Sequence, residues 1–197
     1  GTAFALTEAR GPRVVVVASS PQARAAGVRR GMARTAARAL CRGLQTLPDD
    51  PVANQAALVR LAEQAGALSP YVALDPPRGL FVDACAASVF GGEANLLDAL
   101  LALAREAGYT ARVALAGGPH LARLVALHQA GSVMIVPAGQ DRGAVAGIPL
   151  ASLALGDDLR RNLLGLGLTT LGDLARLPSG TIPRRFGPEG LRLVRLA

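Results

Sequence analysis

The spacing of apolar and polar residues predicts short strands and helices as far as Val136. Two apolar runs, residues 4–7 and 14–17, flank Gly11, which indicates two strands joined by a turn. Ser20 stands before a proline and predicts a helix start. The predicted strands are residues 4–7, 14–17, 44–47, 71–74, 79–84, 110–116 and 133–136, and the predicted helices are residues 21–27, 33–42, 52–66, 93–107 and 119–129.

Between residues 71 and 136 the predicted elements follow the order ββαβαβ. Pro76 and Pro77 predict a sharp turn, so the first two of these strands are expected to pair antiparallel. This order is typical of a sheet with two helices packed on one face. The polar stretch 137–143 then indicates a domain boundary. Only short helices are predicted beyond it, at residues 144–146, 150–153, 157–165, 171–176 and from Gly190 onward.

Composition is that of a folded chain with few exposed aromatic rings. The 197 residues suffice for one large or two smaller domains, and 51% of them are hydrophobic. Two Tyr, four Phe and no Trp argue against the base-stacking sheets of RRM and OB domains, which need exposed aromatic side chains.

The net charge is +7, and every basic residue is an arginine. One interpretation is compositional drift in a GC-rich genome, which enriches Ala, Arg, Gly and Leu together. The other is functional, because the guanidinium group is a forked donor suited to phosphate. In both cases the pI of about 11.1 favours an anionic partner, and nucleic acid fits best.

Cysteine and histidine spacing predicts no metal site. Cys41 and Cys85 form no CxxC pair and are expected to be buried thiols. His120 and His128 have no carboxylate at zinc-ligand spacing. No metal and no cofactor are therefore expected.

The sequence shows neither a signal peptide nor an uncharged apolar run of about 18 residues, the length that spans a bilayer. A cytoplasmic protein without membrane contact is predicted. The chain also begins inside an apparent strand, which suggests a fragment.

Several segments carry a family resemblance. Residues 22–32 resemble the fingers signature Tyr-x-Ala-Arg-x-x-Gly-Val-x-x-Gly-Met, residues 80–84 a palm strand, and residues 166–175 and 185–187 two elements of a thumb. In this order they resemble a Y-family (translesion) DNA polymerase over essentially the whole chain. The resemblance implies an α+β fold with a palm built as a mixed sheet with two helices on one face, small α/β fingers and an all-α helix-hairpin-helix thumb. It places fingers at 1–68, palm at 69–142 and thumb at 143–197.

The resemblance also implies a lost catalytic site. When residues 82–83 are aligned with the Leu-Asp of the family's palm strand, the catalytic Asp-Glu pair falls on Arg78 and Gly79. Two-metal phosphoryl transfer needs carboxylates that hold two cations about 4 Å apart. Arg78 would repel those cations, and Gly79 has no side-chain oxygen. Asp83 is either a residual metal carboxylate or a structural cap at the strand end.

Other positions also lack the residue that the family uses for catalysis or nucleotide binding. The first palm strand, with its Asp-x-Asp, has no match, and the nucleotide-stacking Tyr falls on Pro21. Arg24 stands where the family has a triphosphate-contacting Arg, although a solvated Arg on a helix is the plain alternative. His128 stands near the place of the family's triphosphate Lys. Arg24 and His128 are thus a vestigial nucleotide site.

This pattern resembles the ImuB branch of the Y-family, whose members have lost polymerase activity. The stretch 89–93, Val-Phe-Gly-Gly-Glu, is similar to a segment of that branch. The resemblance implies a non-catalytic accessory subunit of an inducible mutagenic repair complex. Its implied partners are the sliding clamp, a RecA-like protein and an error-prone replicative-type polymerase. Two alternatives remain, an active translesion polymerase whose first strand lies outside this chain and a plain nucleic-acid-binding module.

The thumb-like segment is the part expected to bind DNA. A helix-hairpin-helix binds phosphate through backbone N–H groups without sequence readout. The family's Gly-Val-Gly falls on residues 154–156, followed by Asp157, which opposes a phosphate but also suits a helix start. A solvated Arg-rich surface is the alternative. The candidate DNA-binding residues are Gly156, Arg160, Arg161, Gly167, Thr169, Arg184 and Arg185, with Arg192 and Arg195 as further phosphate contacts.

Overall fold

The computed structural model describes residues 2–77, 79–153 and 155–178. The chain divides into two compact units, residues 1–57 and 58–197. The three predicted domains, with boundaries after residues 68 and 142, stay a prediction. The helix predicted from Gly190 onward lies outside the described residues.

The first unit contains a three-stranded sheet in the order β2-β1-β3. β1 (Phe4–Arg10) and β2 (Arg13–Ser19) pair antiparallel across the predicted turn, with a bulge between Leu6 and Thr7. β3 (Gln45–Pro48) runs parallel to β1. A parallel neighbour needs a crossover connection, and the helical segment between β2 and β3 supplies it.

Two short helices provide that crossover. α1 (Pro21–Ala25) begins as predicted, with the Ser20 hydroxyl accepting from the Ala23 amide at 3.3 Å. α2 (Arg34–Leu40) is shorter than predicted, because the backbone is already extended at Cys41. The buried core of this unit comprises Ala5, Val16, Ala23, Val28, Ala37, Cys41 and Leu44.

α3 (Pro51–Ala65) follows the first sheet and matches the predicted helix closely. The Asp50 carboxylate accepts from the Ala53 amide at 2.9 Å and so caps the start of this helix. Leu58 and Ala65 are the buried residues of this helix.

The second unit follows the predicted ββαβαβ order. β4 (Val72–Asp75) and β5 (Gly79–Val82) form an antiparallel hairpin, and β6 (Val113–Leu115) pairs parallel with β7 (Val133–Ile135). Among the described residues these four strands form two separate pairs, rather than the single sheet that was expected. α4 (Glu93–Glu106) packs against both β6 and β7.

Two of these strands, β5 and β6, are shorter than predicted, and local capping explains the end of β5. β5 ends at Val82, because Asp83 starts a 3-10 helix, Ala84–Ser88. β6 also starts later than predicted, at Val113. Before it, α4 ends with Gly108 at a φ of 84° and with the Tyr109 amide donating to the Ala104 carbonyl. Cys85 lies on the 3-10 helix and is exposed, so the expectation of a buried thiol there was wrong, whereas Cys41 is buried.

The remaining elements are short helices. Gly172 allows close packing of the last of them, because a Cβ there would lie 2.9 Å from the carbonyl oxygen of Ala146. These elements are α5 (Pro119–His128), α6 (Asp141–Ala146), a 3-10 helix (Leu150–Ser152), α7 (Asp157–Gly165) and α8 (Leu171–Ala175).

One hydrophobic cluster connects α5 and β7 to all of these later helices. It therefore extends across the boundary predicted after residue 142. Its buried residues are Leu124, Val125, Val136, Val145, Ile148, Leu150, Leu153, Leu159, Leu163, Leu171 and Leu174. Within the described ranges, no helix is long and apolar enough to cross a membrane.

The central position of α7 in this cluster predicts a large mutational effect. Leu163 is 0% exposed, so Leu163→Ala should lower the free energy of unfolding by about 3 to 5 kcal/mol through lost burial and a residual cavity. Leu164, its neighbour on the same helix, is 42% exposed and is the matched control, for which Leu164→Ala should cost below about 1 kcal/mol. Urea unfolding of both variants measures the difference, and equal losses would contradict the assigned packing.

Candidate functional site

The β4–β5 hairpin contains one of the two positions aligned with catalytic carboxylates. Gly79 pairs with Asp75 across this hairpin, beside a turn with a cis Pro76–Pro77 bond. A Cβ built on Gly79 would lie 2.9 Å from an oxygen of the Asp75 carboxylate and 3.2 Å from its Cβ. A side chain at position 79 would therefore need Asp75 to move.

Asp75 is itself held in an ion pair. A guanidinium nitrogen of Arg123 lies 2.7 Å from its carboxylate, and the Asp75 side chain is only 17% exposed. The pair joins the hairpin to α5, on which Arg123 lies. Sequence reasoning missed this pair, because the two residues are 48 positions apart and no local spacing connects them.

Asp83 lies at the end of β5 and caps the 3-10 helix that follows. Its carboxylate accepts from the Cys85 amide at 2.7 Å. Its backbone is also held, because the amide donates to the Tyr71 carbonyl at 3.0 Å and the carbonyl accepts from the Ser69 hydroxyl at 2.9 Å. In this arrangement the Asp83 side chain organises the turn out of the strand.

The neighbouring candidate Arg78 lies outside the described residues. Within residues 2–77, 79–153 and 155–178, no three His, Cys, Asp or Glu side chains lie close enough together to hold a metal ion.

The two residues that the resemblance assigns to a vestigial nucleotide site, Arg24 and His128, belong to different compact units. Arg24 is an exposed residue of α1, and its guanidinium donates to the Ser19 carbonyl at 2.6 Å. His128 is the half-buried last residue of α5. Arg24 is thus held against its own helix start by a backbone carbonyl.

Arg160 closes the loop that leads into α7. Its guanidinium donates to the carbonyls of Leu153 at 3.2 Å and Leu155 at 3.1 Å, and forms an ion pair with Asp157 at 3.1 Å. Its Nε is buried without a described partner. These contacts hold the Arg160 side chain against the loop before α7. From the sequence, the same side chain is expected to reach toward a phosphate instead.

The other candidates at the start of α7 also have partners within the chain. Arg161 forms an ion pair with Asp158 one turn earlier, and both side chains are largely exposed. Gly156 is the N-cap residue of α7, and its carbonyl accepts from the Arg160 amide at 2.9 Å. The first turn of this helix carries two carboxylates, which favour the helix but repel phosphate.

Gly167 ends α7 in a Schellman motif. It has a φ of 76°, a left-handed conformation that glycine adopts without steric cost. Its amide donates to the Leu164 carbonyl at 3.0 Å, and the Leu168 amide donates to the Leu163 carbonyl at 3.1 Å. The glycine therefore has a clear role in turning the chain toward α8.

Thr169 and Asp173 form the cap of α8. One oxygen of the Asp173 carboxylate accepts from the amide and the hydroxyl of Thr169, both at 3.0 Å, and from the Thr170 amide at 2.9 Å. The Thr170 hydroxyl accepts in return from the Asp173 amide, completing a capping box. The backbone amides of Thr169 and Thr170, followed by the two hydroxyls, lower the pKa of Asp173 to about 2.

The remaining candidates, Arg184 and Arg185, lie outside the described residues, as do Arg192 and Arg195. Each described candidate of the thumb-like segment has a partner inside the chain. The helix-hairpin-helix assignment of this segment stays a prediction.

Comparison with known proteins gives a family and two groups of relatives. Residues 3–126 match the model of the impB/mucB/samB family. The chain is 36% identical over 150 residues to Protein ImuB of Caulobacter vibrioides, covering 76% of this chain and 32% of that protein. It is 27% identical over 198 residues to DNA polymerase IV 2 of Mesorhizobium japonicum, covering 93% of this chain and 45% of that protein. The chain thus spans less than half the length of these relatives.

Solved structures share the fold at low sequence identity. DinB from Sulfolobus solfataricus matches with a TM-score of 0.81 at 18% identity, covering 100% of this chain and 60% of that one. An insertion ternary complex of Dbh DNA polymerase matches with a TM-score of 0.80 at 17% identity and the same coverage. The expected Y-family polymerase fold is confirmed, and at this identity the likeness extends to the fold alone.

The Asp173 cap predicts an acid-sensitive contribution to stability. Because folding lowers the pKa of this carboxyl from 3.8 to about 2, the contribution is complete above pH 3.8 and is lost as the pH falls through about 2. An NMR titration of the Asp173 carboxyl carbon should show a midpoint near 2. In Thr169→Val, which keeps both amide donors and loses one hydroxyl, the midpoint should rise only in part. A midpoint near 3.8 in the unmodified chain would contradict the described cap.

Proposed function

Because the chain belongs to the impB/mucB/samB family, we propose that it is part of a non-catalytic Y-family homologue in mutagenic DNA repair. In this role the protein acts as an accessory subunit of a translesion-synthesis complex and supports a polymerase that performs the chemistry. The proposed partners are a sliding clamp, a RecA-like accessory protein and an error-prone replicative-type polymerase. The identity to Protein ImuB supports this choice within the family.

The observation that carries the proposal is the environment of Gly79. The sequence resemblance implies a metal-ligating carboxylate at this position in active members. The space that such a side chain would enter holds the Asp75 carboxylate, 2.9 Å from an ideal Cβ. Asp75 is in turn fixed by Arg123. This ion pair offsets the negative charge of Asp75 and so weakens its attraction for a divalent cation. The hairpin therefore supports an ion pair where the related active site would need open carboxylates.

Asp83 gives no independent support for catalysis. Its carboxylate accepts from the Cys85 amide, a bond that a structural cap explains fully. A single carboxylate at the end of a strand does not provide the paired ligands of a two-metal site.

We include sequence-independent DNA binding in the proposal. The net charge of +7 provides the general electrostatic attraction to a polyanion. Such binding would keep the accessory subunit near the primer-template while its partners are recruited.

Primer extension tests the proposed lack of catalysis. The full-length protein that contains this chain should give no template-dependent, Mg²⁺-dependent extension, because position 79 has no carboxylate. Dbh DNA polymerase, assayed in parallel, is the positive control.

Asp83 variants identify the opposite result. Extension by the full-length protein that is lost in both Asp83→Ala and Asp83→Asn would show that Asp83 is a metal ligand and would refute the proposal. Asn caps a helix about as well as Asp. The Asn variant therefore separates a catalytic loss from a folding defect, which circular dichroism would detect.

A further inference from the structure

The positive charge of the protein is concentrated in its first compact unit. Residues 1–57 contain eight arginines and three acidic residues, whereas residues 58–197 contain thirteen arginines and eleven acidic residues. Most of the net charge of +7 therefore belongs to the smaller unit. Per residue, the first unit therefore attracts anions more strongly than the second.

The three acidic groups of the first unit are already engaged elsewhere. Glu8 forms an ion pair with Arg10 at 2.8 Å. Asp49 accepts from the Asn54 side chain at 2.9 Å, and Asp50 accepts from a first-turn amide of α3 at 2.9 Å. Among the described residues of this unit, no carboxylate forms an ion pair with an arginine of α2.

The arginines of α2 lie together on its solvent side. Arg34 and Arg38 are both exposed and are one helical turn apart, about 6 Å along the axis. Arg42, also exposed, follows directly after the helix, while Ala37 and Cys41 are buried toward the sheet. We call Arg34, Arg38 and Arg42 the α2 arginine surface.

The described contacts leave most donors of this surface available. One nitrogen of Arg38 donates to the Thr46 hydroxyl at 2.9 Å, which steadies the side chain over the edge strand β3. Arg34 and Arg42 have no side-chain hydrogen bond to the described residues. Each guanidinium carries five N–H donors in a planar fork, so the surface offers several donors to phosphate oxygens.

The start of α7 differs from the α2 arginine surface, because its arginines have carboxylate partners. Arg160 and Arg161 are ion-paired with carboxylates of their own helix. A phosphate approaching them meets two aspartates and must displace existing hydrogen bonds. At the α2 arginine surface, a phosphate can approach without displacing an ion pair of the described residues.

We propose that the α2 arginine surface binds the phosphate backbone of DNA. The inference rests on the DNA-binding part of the proposed function and assigns it to a specific surface. Recognition is of backbone charge, because the surface carries guanidinium groups and no aromatic ring for base stacking. Binding is therefore independent of sequence and strongly dependent on salt.

A pair of matched neutralisations tests the proposal in the full chain. Arg34→Gln with Arg38→Gln removes two charges from the surface, and Arg60→Gln with Arg105→Gln removes two exposed charges from α3 and α4. Binding of a labelled single-stranded oligonucleotide is measured by fluorescence anisotropy over a range of salt concentrations. A labelled polyglutamate is measured in parallel as an acidic-protein surrogate.

The α2 variant should bind the oligonucleotide about 25-fold more weakly at about 0.1 M salt, and its logarithmic salt slope should be shallower by about 1.4, the loss of two single-strand phosphate contacts. The α3–α4 variant should bind within about 3-fold of the unmodified chain. Arg34→Lys with Arg38→Lys keeps the charge and should restore most of the affinity, which separates electrostatics from misfolding.

Four results would overturn the inference. Equal weakening in both neutralised variants would show a response to net charge alone. Unchanged DNA binding in the α2 variant, with weakening in Arg161→Gln, would assign the contact to the start of α7 and leave the proposed function intact. A loss of polyglutamate binding with DNA binding unaltered would assign the surface to an acidic protein. If the unmodified chain binds no DNA at low salt, both the inference and the DNA-binding part of the proposed function fail.

Discussion

Burial of the leucine-rich cluster in the second unit is the interaction on which its later helices depend. Leu150, Leu163 and Leu171 are all 0% exposed, and they come from three successive helical segments. Each fully buried side chain of this kind contributes about 1.5 to 3 kcal/mol. The exposed ion pairs on the same helices contribute at most about 1 kcal/mol each. Apolar contacts therefore fix these helices, and the arginines on their surfaces adapt to that arrangement.

The surface charge of these helices depends on the positions of a few aspartates. On α7 and α8 each described arginine pair is local, with a carboxylate three residues before Arg160, Arg161 and Arg176. These pairs make the surface nearly neutral at short range and occupy guanidinium donors. α2 contains no acidic residue, so no carboxylate of the helix offsets the charge of its two arginines. Two Arg-containing helical surfaces thus differ in their attraction for phosphate because of where aspartate was placed in the sequence.

Most elements and caps were predictable from the sequence, because local rules determine them. Ser20 caps the helix that its position predicts, and α7 occupies the predicted residues. The contacts that sequence reasoning missed depend on tertiary packing. The ion pair of Asp75 with Arg123 joins residues 48 positions apart, and the separation of four strands into two pairs depends on long-range hydrogen bonding. The hydrogen-bond partners of arginine side chains are also not predictable from the sequence, because a long flexible side chain reaches carbonyls that no spacing rule identifies.

The β4–β5 hairpin keeps its backbone pairing with glycine at position 79. The register of the β4–β5 hairpin depends on backbone pairing from Val72 to Val82, and this pairing requires no side chain at position 79. The ion pair of Asp75 with Arg123 then occupies the adjacent space and connects the hairpin to α5. A carboxylate at position 79 would crowd Asp75 and add a second negative charge beside it. The hairpin is thus more compatible with glycine than with a metal ligand, and the likeness of fold to DNA polymerases is by itself no argument for activity.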